Sequence, residues 1–181
     1  MVDALVLVDV INRFDHEDGD DLLRSFRERL PTLRAAIAKA REHGVPVVYV
    51  NNTEGRWDSD APGLVRAAIE TGHGGPEVAA VAPEPGDRFV LKPRYSAFDH
   101  TALVLLLRSL EVDRIVMAGA ATEMCVVQSA IDARELGFKV TIVADACASV
   151  DDEMERLALT YAEQVVGTFV VREEEWHPGR A

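Results

Sequence analysis

The chain contains, from residue 114 to residue 126, the stretch Arg114-Ile115-Val116-Met117-Ala118-Gly119-Ala120-Ala121-Thr122-Glu123-Met124-Cys125-Val126. Its apolar first part predicts a buried strand, and the small residues that follow predict a break from which the chain re-enters a helix. This geometry would place Cys125 in the first turn of the helix. Unpaired backbone N–H groups and the positive end of the helix dipole favour a thiolate there. The stretch therefore predicts a strand–turn–helix unit that carries a candidate nucleophile.

Short β-branched runs recur along the chain and alternate with longer helical patterns. Most of the runs are continuously apolar, which is typical of strands covered on both faces. The predicted strands are residues 4–9, 45–51, 88–92, 114–118, 139–144 and 168–171. The predicted helices are residues 21–43, 101–110, 122–136 and 151–165, and Pro31 indicates a break or a second helix start in the first of them. Alternating strands and helices imply parallel pairing, so we expect a three-layer α/β/α fold, Rossmann-like, with a six-stranded parallel sheet.

The length of 181 residues predicts a single domain over residues 1–181 with a substantial core. Residues 51–86 are rich in glycine and proline, and they predict a loop-rich insertion with at most a short helix around residues 64–70. Such an insertion in a compact domain is usually functional or a subunit contact. The charged tail, residues 173–181, is expected to be mobile or to pack on a neighbouring subunit.

The composition disfavours several classes of function. A formal net charge of −12 argues against nucleic acid and anionic membrane surfaces, because phosphate contacts need a basic face. No window reaches the ~18 uninterrupted apolar residues that span a bilayer, and the start of the chain lacks the basic segment of a signal peptide. Two cysteines without metal-binding spacing fit a reducing compartment. We expect a cytoplasmic protein that acts on a small-molecule substrate, without a metal or other cofactor.

Three chemically useful side chains are placed at or after strand ends: Asp9, Lys92 and Cys125. Ligands of open parallel sheets bind beyond the carboxyl ends of the strands, so we expect these side chains to converge at one edge. A carboxylate there can take the thiol proton while a cation stabilises the thiolate. Backbone N–H groups of the turn before Cys125 would receive the oxyanion, and the protonated acid would then protonate a leaving amine.

Each of the three residues also has a plainer interpretation. Asp9 taken alone fits a carboxylate that orders a loop, and Lys92 taken alone fits a solvated strand-end lysine. Cys125 taken alone fits a small buried side chain, since free cysteine packs as a hydrophobe. We accept that interpretation for Cys147, to which we assign no chemistry.

Four further residues are weaker candidates for substrate binding. Phe14, Trp57 and Phe98 would form an apolar wall, because small-molecule sites are mostly hydrophobic with a few fixed polar groups. Arg94 would bind a substrate carboxylate through two hydrogen bonds. The alternatives are core packing for the aromatic residues and an ion pair with a surface acid for Arg94.

Local motifs resemble those of the isochorismatase-like cysteine hydrolases. The three principal ones are Leu7-Val8-Asp9-Val10-Ile11-Asn12-Arg13-Phe14, Leu91-Lys92-Pro93-Arg94-Tyr95-Ser96-Ala97-Phe98 and Gly119-Ala120-Ala121-Thr122-Glu123-Met124-Cys125-Val126. Also similar are Tyr49-Val50-Asn51-Asn52, Gly55-Arg56-Trp57-Asp58-Ser59-Asp60 and Asp132-Ala133-Arg134-Glu135-Leu136-Gly137. The resemblance extends from about residue 4 to residue 171, and the three principal motifs occur in the order typical of this superfamily.

The resemblance implies an Asp–Lys–Cys triad in which Asp9 is the acid and base, Lys92 the cation and Cys125 the nucleophile. It also implies a non-proline cis peptide between Ala120 and Ala121, which would aim the N–H groups of Ala121 and Cys125 at the oxyanion. Members of the superfamily commonly form homo-oligomers, so we expect one here.

Departures from the family's patterns narrow the expected substrate. The segment after the second strand, residues 51–57, lacks the histidines that bind metal in nicotinamidases, which disfavours a metal-dependent nicotinamidase and favours another branch. Isochorismatases proper hydrolyse a vinyl ether and often lack the cysteine, so the presence of Cys125 favours acyl transfer at a C–N bond. Ile11 stands where many relatives have glutamine, which leaves the polarity of the substrate open.

The preferred hypothesis is a cysteine-dependent hydrolase that cleaves a C–N bond of a small amide or ureide through a thioester acyl-enzyme. One alternative is vinyl ether hydrolysis with Asp9 as the acid. The other is a non-catalytic, ligand-binding relative that kept the scaffold.

Overall fold

The structure is a computed structural model, and it describes residues 1–53 and 55–179. Its strands are β1 (Asp3–Val8), β2 (Val47–Asn52), β3 (Arg88–Lys92), β4 (Arg114–Ala120), β5 (Lys139–Ala148) and β6 (Phe169–Val171). Its α-helices are α1 (Gly19–Glu42), α2 (Ala61–Thr71), α3 (Gly75–Ala79), α4 (Leu103–Ser109), α5 (Val127–Glu135) and α6 (Asp152–Tyr161). Short π-helical segments, Thr122–Val126 and Ala162–Val166, precede α5 and follow α6.

The strands form one six-stranded, all-parallel sheet in the order β3-β2-β1-β4-β5-β6. Helices cover both faces, so the predicted three-layer fold with its parallel sheet is confirmed. The strand order reverses direction between β1 and β4, whose register pairs Val8 with Gly119. Crevices at such a switch point are where doubly wound sheets bind their ligands.

Both faces of the sheet are buried, and β1 shows why its sequence is apolar throughout. Leu5 and Leu7 point into a core that includes Phe26 and Leu33 of α1. Val6 and Val8 point into a second core on the opposite face of the sheet. Each fully buried side chain of this size contributes about 1.5–3 kcal/mol relative to exposure. Among the described residues, no helix is long and apolar enough to cross a membrane.

The prediction that Pro31 breaks the first helix is wrong, since α1 runs without interruption from Gly19 to Glu42. Pro31 is exposed, while Phe26 before it and Leu33 after it are both buried against the same core. A proline inside a helix removes one hydrogen bond and crowds the preceding turn. Here the packing of both halves outweighs that local cost.

The prediction of at most one short helix within residues 51–86 is also wrong. The segment contains α2 and α3, and its first residues still belong to β2. Asp60 begins α2 by accepting a hydrogen bond from the Gly63 amide at 2.6 Å. Pro62 and Pro76 lie in the first turns of their helices, where a missing N–H costs nothing. The proline and glycine residues therefore start and end helices here rather than exclude them.

The tail packs on its own chain, in contrast to the prediction of a mobile segment. Trp176 is only 2% exposed, and Lys39 Nζ donates to the carbonyl oxygens of Glu173 at 2.7 Å and Trp176 at 3.2 Å. The amide of Gly179 donates to Asp3 at 3.1 Å. Burial of the indole is the reason the tail is held, because it removes a large apolar surface from water. The last two residues of the predicted tail, 180 and 181, lie outside the described residues.

Candidate active site

The structure brings Asp9, Lys92 and Cys125 into direct contact. Lys92 Nζ lies 2.7 Å from Asp9 Oδ2 and 3.4 Å from Cys125 Sγ. All three residues are buried, and Lys92 has no exposed surface at all. A carboxylate, an ammonium and a thiol thus share one buried pocket, as the strand-end argument predicted; their catalytic roles remain a prediction.

Asp9 is fixed by the neighbouring strand β2. Its backbone amide donates to the Val50 carbonyl at 3.0 Å, and its Oδ1 accepts from the Asn52 amide at 2.7 Å. The φ angle of Asp9 is 50°, a left-handed conformation that aspartate and asparagine tolerate better than most side chains. The chain therefore turns sharply after β1. One carboxylate oxygen is held by β2, and the other is left for Lys92.

Lys92 ends β3 and uses its ammonium group fully. Besides Asp9 and Cys125, Nζ donates to the Arg94 carbonyl at 3.0 Å. An ammonium has three N–H donors, so each has a partner. A buried charge is tolerated only when it is paired and hydrogen-bonded in this way. The alternative of a solvated strand-end lysine is therefore wrong.

Cys125 lies in the π-helical turn between β4 and α5. The peptide bond between Ala120 and Ala121 is cis, and the Ala121 carbonyl accepts from the amides of Met124 at 3.1 Å and Val126 at 3.2 Å. The carbonyl of Cys125 accepts from the Ser129 hydroxyl at 2.6 Å. These contacts fix the turn that presents the thiol to the cavity.

The surroundings of Cys125 favour the neutral thiol. Burial raises its pKa to about 12, the nearby Asp9 carboxylate acts in the same direction, and the Lys92 ammonium opposes them. This effect opposes the thiolate that the helix N-terminus was expected to favour. Desolvation is a property of the packed fold, and here it exceeds the effect of the helix end.

A cavity of about 560 Å³ opens over this trio. The end of β2 and the loops that follow β1, β3 and β4 border it, and Asp9, Ala121 and Cys125 lie in its lining. Its volume suits a small molecule. Ile11 also lines it, and its backbone is held by Asn51, which accepts from the Ile11 amide at 3.1 Å and donates to the Ile11 carbonyl at 2.8 Å.

The four weaker candidates do not line this cavity. Phe14 is buried in the core against Phe26, with ring centroids 5.3 Å apart, because its left-handed φ of 56° turns the ring inward. Trp57 is 91% exposed on a loop. Arg94 and Phe98 border a separate depression beside α5. These aromatic residues therefore do not form the predicted apolar wall in this cavity, and Arg94 lies outside its lining.

Other residues line the cavity instead. Asn51 and Asn52 end β2, and Tyr95 follows β3, so the rule that predicted Asp9 and Lys92 applies to them as well. Asp15 and Asp18 lie in the loop between β1 and α1. The sequence gives no signal for these two acids, because the path of that loop depends on the turn at Asp9.

A second buried network supports the turn from behind. The Thr122 hydroxyl lies 3.0 Å from the Ala148 carbonyl and 2.9 Å from Glu155 Oε1. Burial raises the pKa of Glu155, whose other oxygen lies 3.2 Å from Arg29. The Thr122 hydroxyl is the donor in both contacts, so its single proton is shared between the Ala148 carbonyl and the Glu155 carboxyl group. The residue after Ala121 is thereby tied to β5 and α6.

No group of three or more histidine, cysteine or acidic side chains suited to a metal ion occurs within residues 1–53 and 55–179. His73, the single histidine of the predicted insertion, is largely exposed, with Nδ1 4.0 Å from an Asp20 oxygen.

A doubly wound parallel sheet whose switch point holds an acid, a cation and a thiol defines an α/β enzyme, and the comparisons with known proteins identify it as a hydrolase. The chain matches the isochorismatase domain over residues 3–174 and therefore belongs to the isochorismatase family. It is 33% identical to the uncharacterized isochorismatase family protein YaaI of Bacillus subtilis over 172 residues, which cover 95% of this chain and 94% of that protein.

Two further relatives carry named activities. The ureidoacrylate amidohydrolase RutB of Stutzerimonas stutzeri is 28% identical over 184 residues, which cover 87% of this chain and 74% of that enzyme. The crystal structure of N-carbamoylsarcosine amidase from Thermoplasma acidophilum superposes with a TM-score of 0.74 at 28% identity, covering 98% of this chain and 99% of that one. The predicted family is confirmed.

Proposed function

We propose that the protein is a cysteine-dependent hydrolase that cleaves a C–N bond of a small amide or ureide through a thioester acyl-enzyme. The observation that carries the proposal is the contact of Cys125 with Lys92 and Asp9 beneath an open cavity. Two relatives, an amidohydrolase and an amidase by name, support the same bond type.

The first half of the proposed reaction forms the acyl-enzyme. Asp9 accepts the thiol proton as Sγ of Cys125 attacks the carbonyl carbon, and the carbonyl oxygen becomes an oxyanion. Backbone N–H groups of Ala121 and Cys125 receive that oxyanion. Asp9 then gives its proton to the leaving nitrogen, the C–N bond breaks, and ammonia or an amine departs.

The second half regenerates the thiol. Asp9 takes a proton from water as the water oxygen attacks the thioester carbon. The C–S bond then breaks, the acid product leaves, and the proton on Asp9 returns to Cys125. Lys92 keeps its charge throughout and stabilises the sulfur whenever it is anionic.

The high pKa of the resting thiol makes the proton transfer part of the attack step. Burial and Asp9 keep Cys125 neutral until a carbonyl carbon is in place. A substrate that displaces water and accepts the developing charge lowers the cost of ionising the sulfur. The resting enzyme is therefore expected to react slowly with general alkylating reagents.

The hydrogen bonds of Asp9 favour this route over vinyl ether hydrolysis. Both carboxylate oxygens accept hydrogen bonds, from the Asn52 amide and from Lys92, so the group is placed to act first as a base. Ether cleavage would need the protonated acid in the first step. The two routes also differ in their need for the thiol.

The test is the Cys125→Ala variant in an ammonia-release screen over small amides and ureides. We expect turnover and the acyl-enzyme mass adduct to be lost, while the matched variant Cys147→Ala keeps both, because Cys147 is fully buried away from the cavity. Full activity in Cys125→Ala with none in Asp9→Asn would instead support the ether route. If no thiol-reactive amide analogue labels Cys125 faster than Cys147 at neutral pH, the result would support a non-catalytic relative.

A further inference from the structure

The cavity over Cys125 carries negative charge at its mouth and no basic side chain in its lining. The carboxylates of Asp15 and Asp18 border it, and no lysine or arginine does so among the described residues. Lys92 lies beneath the floor, fully buried and already paired with Asp9. A ligand entering this cavity therefore meets acids first.

The two mouth acids differ in how far they are compensated. Asp15 is neutralised by Arg13, whose guanidinium nitrogen lies 2.8 Å from it. Asp18 precedes α1, and its backbone carbonyl accepts from the Leu22 amide at 3.0 Å. Its side-chain carboxylate makes no hydrogen bond or ion pair with any residue that the structure describes. The uncompensated charge at the mouth is therefore that of Asp18.

Arg94, the residue predicted from the sequence to bind a substrate carboxylate, does not line the cavity over Cys125. Arg94 borders the depression beside α5, together with the acidic side chains of Asp99, Asp132 and Glu135. The contact of Arg94 with the active site is made by its backbone carbonyl, which accepts a hydrogen bond from Lys92 Nζ, and not by its guanidinium group. A carboxylate-bearing substrate would thus enter an acidic mouth without a cation to receive it.

An exposed aromatic ring adds to the preference for cations. Tyr95, which is 62% exposed, borders the same cavity as Asp18. The face of an aromatic ring attracts an ammonium group through its quadrupole. His16 also borders the cavity.

We infer that the natural substrate is an amide or ureide that carries an ammonium or similar cationic group, with Asp18 as the residue that selects it. The inference rests on the proposed function for the amide, and on the charge of the cavity for the cation. Asp18 acts at the mouth, so it affects binding and approach rather than the chemical steps at Cys125.

Three methanethiosulfonate reagents test the charge of the cavity independently of hydrolysis. The aminoethyl, methyl and sulfonatoethyl reagents are cationic, neutral and anionic, and each forms a mixed disulfide as the cysteine sulfur displaces methanesulfinate. Rates at Cys125 are measured by peptide mass at pH 8 and divided by the rates with a free small thiol. We expect the cationic reagent to react at least about tenfold faster than the anionic one at low salt, with the ratio falling as salt is added.

The matched variants Asp18→Asn and Asp20→Asn separate the mouth from the overall charge of the protein. Both lie at the start of α1 and remove one negative charge, but Asp20 does not line the cavity. Suppose that the loss of the Asp18 charge raises the barrier to labelling by the cationic reagent, and lowers it for the anionic reagent, by about 0.5 kcal/mol each. The ratio of the cationic to the anionic labelling rate then falls about fivefold. Asp20→Asn should leave the ratio within about twofold of wild type.

The outcomes are distinct. Equal or faster reaction of the anion, equal effects of the two variants, or no reaction with any reagent would each overturn the inference. A parallel assay follows ammonia release from 5-aminopentanamide, hexanamide and glutaramate, which are cationic, neutral and anionic amides of similar size. Charge selection in labelling without ammonia release from any amide would count against the proposed function alone.

Discussion

Replacing Asp9 by asparagine should make the Cys125 thiol easier to ionise and at the same time abolish turnover. The two effects have one origin, because the carboxylate raises the pKa of the thiol while it is also the proposed proton acceptor. In Asp9→Asn the ammonium of Lys92 remains beside Sγ, 3.4 Å away, without a competing anion. Most substitutions of a catalytic base are expected to make the nucleophile less reactive, so an opposite result is informative.

The size of the effect follows from the charges. Two unit charges about 4 Å apart interact by about 4 kcal/mol at an effective dielectric constant of about 20. A shift of one pKa unit needs only about 1.4 kcal/mol, so a third of that interaction suffices. Below the pKa, the thiolate fraction rises tenfold for each unit by which the pKa falls. We therefore expect alkylation of Cys125 at neutral pH to accelerate by at least about tenfold in the variant.

The assay follows iodoacetamide labelling of Cys125 by peptide mass across a pH series. In the wild type, the thiol pKa of about 12 predicts a rate that climbs steadily from neutral pH to pH 10 without a plateau. In Asp9→Asn the curve should shift toward lower pH, and ammonia release should fall to background. Cys147, whose pKa burial also raises to about 12, stays unlabelled as long as the variant is folded. Unchanged or slower labelling in the variant would refute the electrostatic reasoning, and retained turnover would refute Asp9 as the proton carrier.

Three further substitutions test the buried framework. Lys92→Met should lower the free energy of unfolding in urea by about 3–5 kcal/mol, because the Asp9 carboxylate loses its buried partner. A loss below about 1 kcal/mol would contradict that pairing. Gly119→Ala should lower the thermal unfolding midpoint sharply or prevent folding. The φ angle of Gly119 is +128°, and a Cβ at this position would lie 2.1 Å from the Val8 carbonyl oxygen. An unfolding midpoint equal to that of the wild type would contradict the close approach of β1 and β4. Trp176→Ala should cost about 3–5 kcal/mol in the same urea titration, and an unchanged midpoint would mean that the tail is not packed as described.

The sheet could be predicted from the sequence because each strand is indicated by residues that are adjacent in the chain. Continuous apolar runs such as residues 4–9 and 114–118 indicate strands buried on both faces, and helical spacing between them fixes parallel connections. The same rule places polar residues at strand ends on one edge of the sheet. It therefore located Asp9 and Lys92, and it also applies to Asn51 and Asn52, to which no role had been assigned.

The errors concern features that only the packed chain determines. The inward turn of Phe14 depends on a left-handed φ of 56°, which no periodicity signals. The glycine and proline content of residues 51–86 predicted loops, although proline, here Pro62, is favoured in the first turn of a helix. The protonation state of Cys125 depends on burial, and a helix N-terminus in the sequence does not reveal how much water reaches the sulfur. Sequence patterns thus locate the strand ends but not the environment around them.

The charge balance of the buried site explains why a cationic side chain suits the third position. At rest, Asp9 is negative, Lys92 positive and Cys125 neutral, so the buried group carries no net charge. In the proposed tetrahedral intermediate the proton is on Asp9, and the oxyanion balances Lys92. In the acyl-enzyme the proton has left with the amine, and Asp9 balances Lys92 again. Because a net charge in a buried site is costly, the pairing of the Lys92 cation with one negative charge at each step stabilises the whole of the proposed cycle.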